Sequence, residues 1–234
     1  MKGVHFVLQA KGGVGKSFVA SLIAQSLDSK SNFDLDQSNQ TFAAYESLGA
    51  EYVEALDENA FIVDAKRFDA LVAQLTETEL AVIDTGANSF GPLMAYLVEN
   101  GVFELLSETG QQVWIHTIVA GGAELEDTTN GFQSIAAHAP NLVLWLNEHF
   151  GPTEINGKPF HESRAYKSAS SSLRGTITLP KLNAQTIGDD LRKLVRMKKT
   201  FAEAKTSPDF TMMEKHRLSR FFKSIDEQLK KIEA

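Results

Sequence analysis

The stretch Val4-His5-Phe6-Val7-Leu8-Gln9-Ala10-Lys11-Gly12-Gly13-Val14-Gly15-Lys16-Ser17 decides the fold. Residues 4–8 are a short apolar run and read as a buried strand. Three glycines within four residues then predict a sharp turn, and residues 17–27 (SFVASLIAQSL) read as a buried helix. Strand, glycine turn, helix is the context in which phosphate oxygens are bound. Such oxygens need several backbone N–H donors converging on one spot, and glycine lets the backbone approach closely. The helix that follows adds its N-terminal N–H groups and its dipole. In this pattern Gly12, Gly13, Val14 and Gly15 form the loop, Lys16 reaches the outer phosphates, Ser17 ligates Mg2+, and Phe18 continues the helix beside the nucleotide. The common G-x-x-x-x-G-K-[ST] pattern would place glycine at position 10, where this chain has Ala10.

Working outward, strands are expected at residues 33–36, 80–84, 113–119, 142–146 and 176–179. Helices are expected at 64–75, with Phe68, Leu71, Val72 and Leu75 on one face, at 92–100, at 125–137, and through most of the chain from about 184. The alternation predicts an α/β fold, with a mostly parallel sheet flanked by helices on both faces, a P-loop NTPase with a helical C-terminus. Ligands of such sheets bind beyond the carboxyl ends of the strands. Residues 148–173, with Gly151, Pro152, Gly157, Pro159 and a serine run, read as a mobile loop or insertion. The 234 residues are expected to form a single domain, 1–234, with a basic helical region at 184–234.

The acids fall at strand ends. Asp84 closes LAVID and suits a carboxylate that holds Mg2+ through water; Gly86, two residues on, could offer its N–H to a γ-phosphate. Asp34 and Asp36 form a D-x-D at the end of the second strand, well placed for the Mg2+ anchoring and oriented water that phosphoryl transfer needs, and Asp34 reads equally well as a strand-end acid. Asn147 follows LVLWL, and a carboxamide can donate and accept at once, as an adenine edge requires. Pro180, after the last strand, is a second candidate base contact.

Lys11 before Gly12-Gly13 gives K-G-G-x-G-K-[ST], and here the sequence resembles the ParA/MinD-type ATPases with their deviant Walker A loop. The strings VHFVLQAKGGVGKS, HTIVAGGAELEDTTNGF and WLNEHFGP resemble one plasmid-encoded branch, the TraL-like and StbB-like proteins of conjugal transfer and plasmid stability. The resemblance implies ATP and Mg2+ as ligands and catalytic roles for Lys11, Lys16 and Asp36, with Lys11 reaching the partner's phosphates across a nucleotide-dependent homodimer. It also implies the Asn147–adenine contact and a plasmid-encoded DNA-binding partner. It departs at Gln37, where proline is usual, and in lacking a proline near Asp84. Two functions stay open: a switch ATPase, and a nucleotide-held adaptor with negligible turnover.

Composition bounds the rest. The absence of cysteine excludes disulfides and thiolate chemistry. No run approaches the roughly 20 apolar residues of a membrane span, and the N-terminus lacks the about 7–15 apolar residues of a secretory signal core, so a cytoplasmic location is expected. Residues 1–157 carry 6 Lys+Arg and 21 Asp+Glu, residues 158–234 carry 17 and 9. The basic C-terminal third, with Leu218, Phe221, Phe222, Ile225, Leu229 and Ile232 at helical spacing, suits either docking on the core or contact with DNA, an anionic membrane or a partner. No histidine shows metal-ligand spacing.

Overall fold

The structure, a computed structural model, describes residues 1–57 and 63–233. The elements run β1 (Gly3–Val7), α1 (Lys16–Leu27), β2 (Ser31–Asp34), β3 (Glu51–Tyr52), α2 (Ala65–Thr76), β4 (Leu80–Asp84), α3 (Phe90–Glu99), α4 (Val102–Glu108) and β5 (Val113–Ala120). There follow α5 (Leu125–Ala136), β6 (Leu142–Asn147), β7 (Glu154–Ile155), β8 (Lys158–Pro159), α6 (Arg164–Ser168), β9 (Leu173–Leu179), α7 (Ile187–Arg196), α8 (Phe201–Thr206) and α9 (Met212–Glu233). Seven strands form one parallel sheet in the order β3-β2-β4-β1-β5-β6-β9. This is the P-loop α/β architecture expected from the sequence.

Side chains alternate across the sheet with period two, as the pleat requires. Phe6, Ala81, Ile83, Leu142 and Leu144 face a core closed by α2 to α6. Val7, Val82, Val143 and Trp145 face a second core closed by α1 and α7 to α9. The register is what positions the site. Val7 lies opposite Asp84, and Asp34 lies opposite Asp84 on its other side. Three strands therefore end level, and the glycine loop leaves the sheet beside both acids.

Several expectations are corrected. The second strand ends at Asp34, not at residue 36, because the Asp34 carboxylate accepts the Asp36 N–H at 3.0 Å and turns the chain. Helix α4 was not foreseen; Gly101, at φ 58°, allows α3 to stop and a second helix to start. Strand β9 starts at Leu173 and runs through Gly175, where a Cβ would lie 2.5 Å from Ile232 Cγ1 of α9. Residues 148–173 are not a structureless insertion. They carry the β7–β8 hairpin on an Asn156-Gly157 turn of positive φ, and they bury Phe160, Ala165 and Ala169 in the first core. The region from 184 comprises three helices. In α9, Leu218, Phe221, Ile225 and Leu229 are buried against the second core, so the helix is docked on the sheet.

A polar chain crosses the second core. Trp145 Nε1–H donates to His116 Nδ1 at 3.0 Å, which leaves the His116 proton on Nε2, 3.0 Å from His5 Nδ1. The His5 proton then sits on Nε2 and points to the Met1 carbonyl at 3.3 Å. Each donor fixes the next tautomer, so both rings are neutral. Burial lowers the His5 pKa to about 3 and holds His116 well below its ordinary value.

Unfolded imidazole takes up a proton near pH 6.5, while folded His5 does so only near 3. The unfolded chain thus binds more protons across that window, and stability falls as pH falls through it. Going from pH 7.5 to 5 should cost about 2 kcal/mol for His5 alone. Urea unfolding followed by tryptophan fluorescence will show this drop, and His5→Asn, less stable at pH 7.5, will show a shallower one.

Candidate functional site

The site is built from the loop upward. Gly13 and Gly15 adopt φ 75° and 102°, a region that side chains rarely enter. Gly15 is the N-cap of α1, and no side chain caps that helix end. Its first N–H groups thus point at the cradle without a side-chain partner, as an anion site requires. Lys16 is 7% exposed, and its Nζ donates to the Lys11 carbonyl at 3.0 Å across the loop. Burial lowers its pKa, while Asp84 and Asp36 act the other way. The cradle holds about 440 Å³ and is lined by Gly12, Gly13, Lys16, Ser17, Asp36 and Asn88, among others.

Asp84 is fully buried, and neither carboxylate oxygen has a hydrogen-bond partner among the described residues. Burial pushes its pKa up to about 8; the Ser17 hydroxyl lies close enough to favour the charged form without meeting either oxygen at bonding geometry. The Asp34 charge raises the value further, Lys16 lowers it and Asp36 raises it. An orphaned carboxylate beside a serine hydroxyl and a buried lysine is a poor structural group. It fits a hydrated divalent cation held between Ser17 and Asp84.

The two acids of the D-x-D divide. Asp34 is buried and fully engaged: Oδ1 accepts from Asp36 N, and Oδ2 accepts from Phe42 N and Ala43 N, both at 2.9 Å. It shapes the loop, and burial raises its pKa. Asp36 sits at the cradle with Oδ1 accepting from Ser38 N at 2.9 Å and Asn39 N at 3.1 Å. It packs on Gly86, where a Cβ would lie 2.9 Å from Asp36 Oδ1. The loops after β2 and β4 thus meet at Gly86, where any larger residue would have to displace the Asp36 carboxylate. Thr85 Oγ1 donates to the Val7 carbonyl at 2.8 Å and ties the β4 end to the root of the glycine loop.

Beyond the cradle a second hollow of about 710 Å³ shares Gly13, Gly15 and Phe18 with it. Val14, Asn147 and Pro180 line it together with Phe221 of α9, which stacks on Phe18 at 6.4 Å. Asn147 Nδ2 donates to the Val14 carbonyl at 3.0 Å, and its Oδ1 accepts from His149 N at 3.0 Å. Asn147 therefore braces the glycine loop as well as facing the hollow. A loop-bracing role carried no sequence signal, because the contact joins residues 133 positions apart.

Lys11 stands apart from the cradle. Its Nζ pairs with Asp127 Oδ2 at 2.8 Å and Glu124 Oε2 at 3.0 Å, and these acids, Asp127 first, raise its pKa. Sequence reasoning gave Glu124 and Asp127 no role. The neighbouring Gln9 donates to the Ile118 and Thr128 carbonyls at 2.6 and 3.1 Å. Its Oε1 fills the place of a side chain at Gly131, which fixes α5 and its acids against the start of the glycine loop.

The Asp34 contacts give a direct expectation. Asp34→Ala leaves three backbone donors unmet and should destabilise the fold by about 2 kcal/mol or more. Urea unfolding measures this, and Asp34→Asn, which keeps one acceptor oxygen, should lose less.

No family model matches the sequence. Two Escherichia coli proteins, both Protein TraL, are each 37% identical to it. One aligns over 226 residues, covering 93% of either chain, and the other over 237, covering 98% of either. Among solved structures, the MinD cell division protein of Aquifex aeolicus is similar at TM-score 0.49 and 13% identity, over 98% of this chain and 97% of that one. A Borrelia burgdorferi B31 protein assigned to plasmid partition, solved with AMPPNP bound, is similar at 0.47 and 16%, over 99% of both. The identity and near-complete coverage of the two Escherichia coli relatives show that this chain belongs to the TraL family.

Proposed function

We propose that the chain is a switch ATPase of plasmid conjugal transfer, positioning or stability, which binds and hydrolyses Mg-ATP as a nucleotide-dependent homodimer. The observation that carries this reading is Asp84: a fully buried carboxylate with no hydrogen-bond partner among the described residues, level with the glycine loop and beside Ser17 and Lys16. In this reading residues 1–234 form one ATPase domain, with 184–234 as its basic helical part.

The roles follow from the chemistry of each group. Amides of residues 12 to 17 and the Lys16 ammonium hold the phosphate chain. Ser17 and Asp84, with Asp36 nearby, hold Mg2+, which when bound neutralises charge on the outer phosphates. Asp36 has one oxygen committed to Ser38 and Asn39, and the other is available to orient the water that attacks the γ-phosphorus. Gly86 offers its N–H to the γ-phosphate. Phe18, Asn147 and Pro180 border the base. Lys11 leaves Asp127 and Glu124 to reach the partner's phosphates, where a cation stabilises charge on the transferring group. A plasmid-encoded DNA-binding protein is the proposed partner, with non-specific DNA or a membrane surface as further contacts of the basic helices, and the cytoplasm as the place of action.

A second reading, a nucleotide-held adaptor with negligible turnover, is favoured by one observation. Lys11 is satisfied within its own chain by two carboxylates. Phosphate release from Mg-ATP, with and without double-stranded DNA, separates the two. The switch predicts turnover that rises with DNA and falls about 100-fold or more in Lys11→Ala, with nucleotide still bound. Lys16→Ala should lose nucleotide binding itself. Tight binding with no release under any condition would establish the adaptor, and unchanged nucleotide affinity in Lys16→Ala would refute both readings.

A further inference from the structure

The hollow beside the cradle, at about 710 Å³, is larger than the cradle and strongly basic. Its apolar surface comes from Val14, Phe18, Leu179, Leu182, Leu191 and Phe221. Four cations also line it: Lys181 from the loop after β9, Arg192 and Arg196 from α7, and Lys198 just beyond. None of the described residues lining it is acidic, although the chain carries 30 Asp+Glu and a net charge of −7.

These cations are not consumed by the triphosphate site. The cradle has its own lysine, Lys16, and its own amides, and the four cations are absent from its lining. Nor are all of them consumed by the fold. Arg192 donates to the Ala184 carbonyl at 2.8 Å and to Asp189 at 3.2 Å, and Lys198 lies over the Tyr45 ring at 5.6 Å. Arg196 and Lys181 have no ion pair or hydrogen bond among the described residues. The C-terminal dipole of α7 accounts for part of the placement of Arg196. It does not account for Lys181, an exposed residue of the loop after β9 that lines the same hollow.

We propose that this hollow is an anion subsite, through which the glycine loop also takes, in competition with ATP, a nucleotide bearing a phosphate on its ribose as well as its 5′ chain. The proposal rests on nucleotide binding at the glycine loop. The base and sugar lie on the apolar surface beside Phe18, the 5′ phosphates enter the cradle, and the ribose phosphate meets Arg196 and Lys181. Arginine suits this because its fork binds two phosphate oxygens at once. A phosphate of a nucleic-acid strand offers the same group, but the hollow shares Gly13, Gly15, Phe18 and Val195 with the cradle, which favours a small nucleotide.

The test compares ADP with ADP phosphorylated at the ribose 3′ position, by calorimetry on the full chain, for the native protein, Arg196→Gln and Lys181→Gln. The expected result is tighter binding of the 3′-phosphorylated nucleotide by about tenfold or more, with that ratio falling toward one in both variants. A short single-stranded DNA without nucleotide forms the other arm. Equal or weaker affinity for the 3′-phosphorylated nucleotide, with ADP still bound, would overturn the subsite alone. A dependence on Arg196 seen only with the DNA strand would overturn it in favour of nucleic acid. Failure of ADP itself to bind would remove the proposal together with the functional reading beneath it.

Discussion

Everything at the site depends on one register, the parallel pairing of β1 with β4 and of β4 with β2. It sets Val7, Asp84 and Asp34 level at the carboxyl edge of the sheet. A slip of one residue in β4 would turn Asp84 from one face to the other. Three further contacts lock the arrangement from outside the ladder. Thr85 bonds back to Val7, Asp34 gathers the N–H groups of Phe42 and Ala43, and Asn147 holds the Val14 carbonyl. The glycine loop is thus anchored on both flanks and left open between them.

The same arrangement carries an electrostatic cost. Asp84 is buried with no hydrogen bond among the described residues, while the equally buried Asp34 accepts three. The two differ in this way because Asp34 builds the loop after β2, while Asp84 faces the root of the glycine loop beside Ser17 and Lys16. Lys16 is disfavoured as a cation by burial, which is the state of a group whose partner charge arrives with the ligand. Uncompensated groups of both signs facing one cradle mark a binding site more than a structural ion pair. Away from the site, the Trp145–His116–His5 chain is fully directed, with one acceptor for each donor.

The central part of this was readable from the sequence because the signals were local. A strand of five residues, three glycines and Lys16-Ser17 specify strand, turn and helix within fifteen positions, and the helix face at Phe68, Leu71, Val72 and Leu75 is the buried one. What was missed depends on contacts between distant residues. Glu124 and Asp127 look like an ordinary acidic first turn of α5 until folding brings Lys11 to them. Gly121 and Gly122 carry no visible role in the sequence, yet a Cβ on either would strike the backbone at Phe150 and Gly151. The strings around them, HTIVAGGAELEDTTNGF and WLNEHFGP, contain the two loops that pack together there. Residues 148–173 misled for the opposite reason. Their Pro, Gly and Ser content is that of a loop, while Phe160 and Ala165 anchor them in the core.

The central claim is that Asp84 and Ser17 form a metal position coupled to nucleotide. The most direct measurement is the affinity of a non-hydrolysable ATP analogue with Mg2+ and with chelator, for the native chain and for Asp84→Asn. Tighter binding with Mg2+ in the native chain, with most of that gain lost in Asp84→Asn, is the predicted result. Affinity that ignores Mg2+, or a Mg2+ effect that survives intact in Asp84→Asn, would contradict the account.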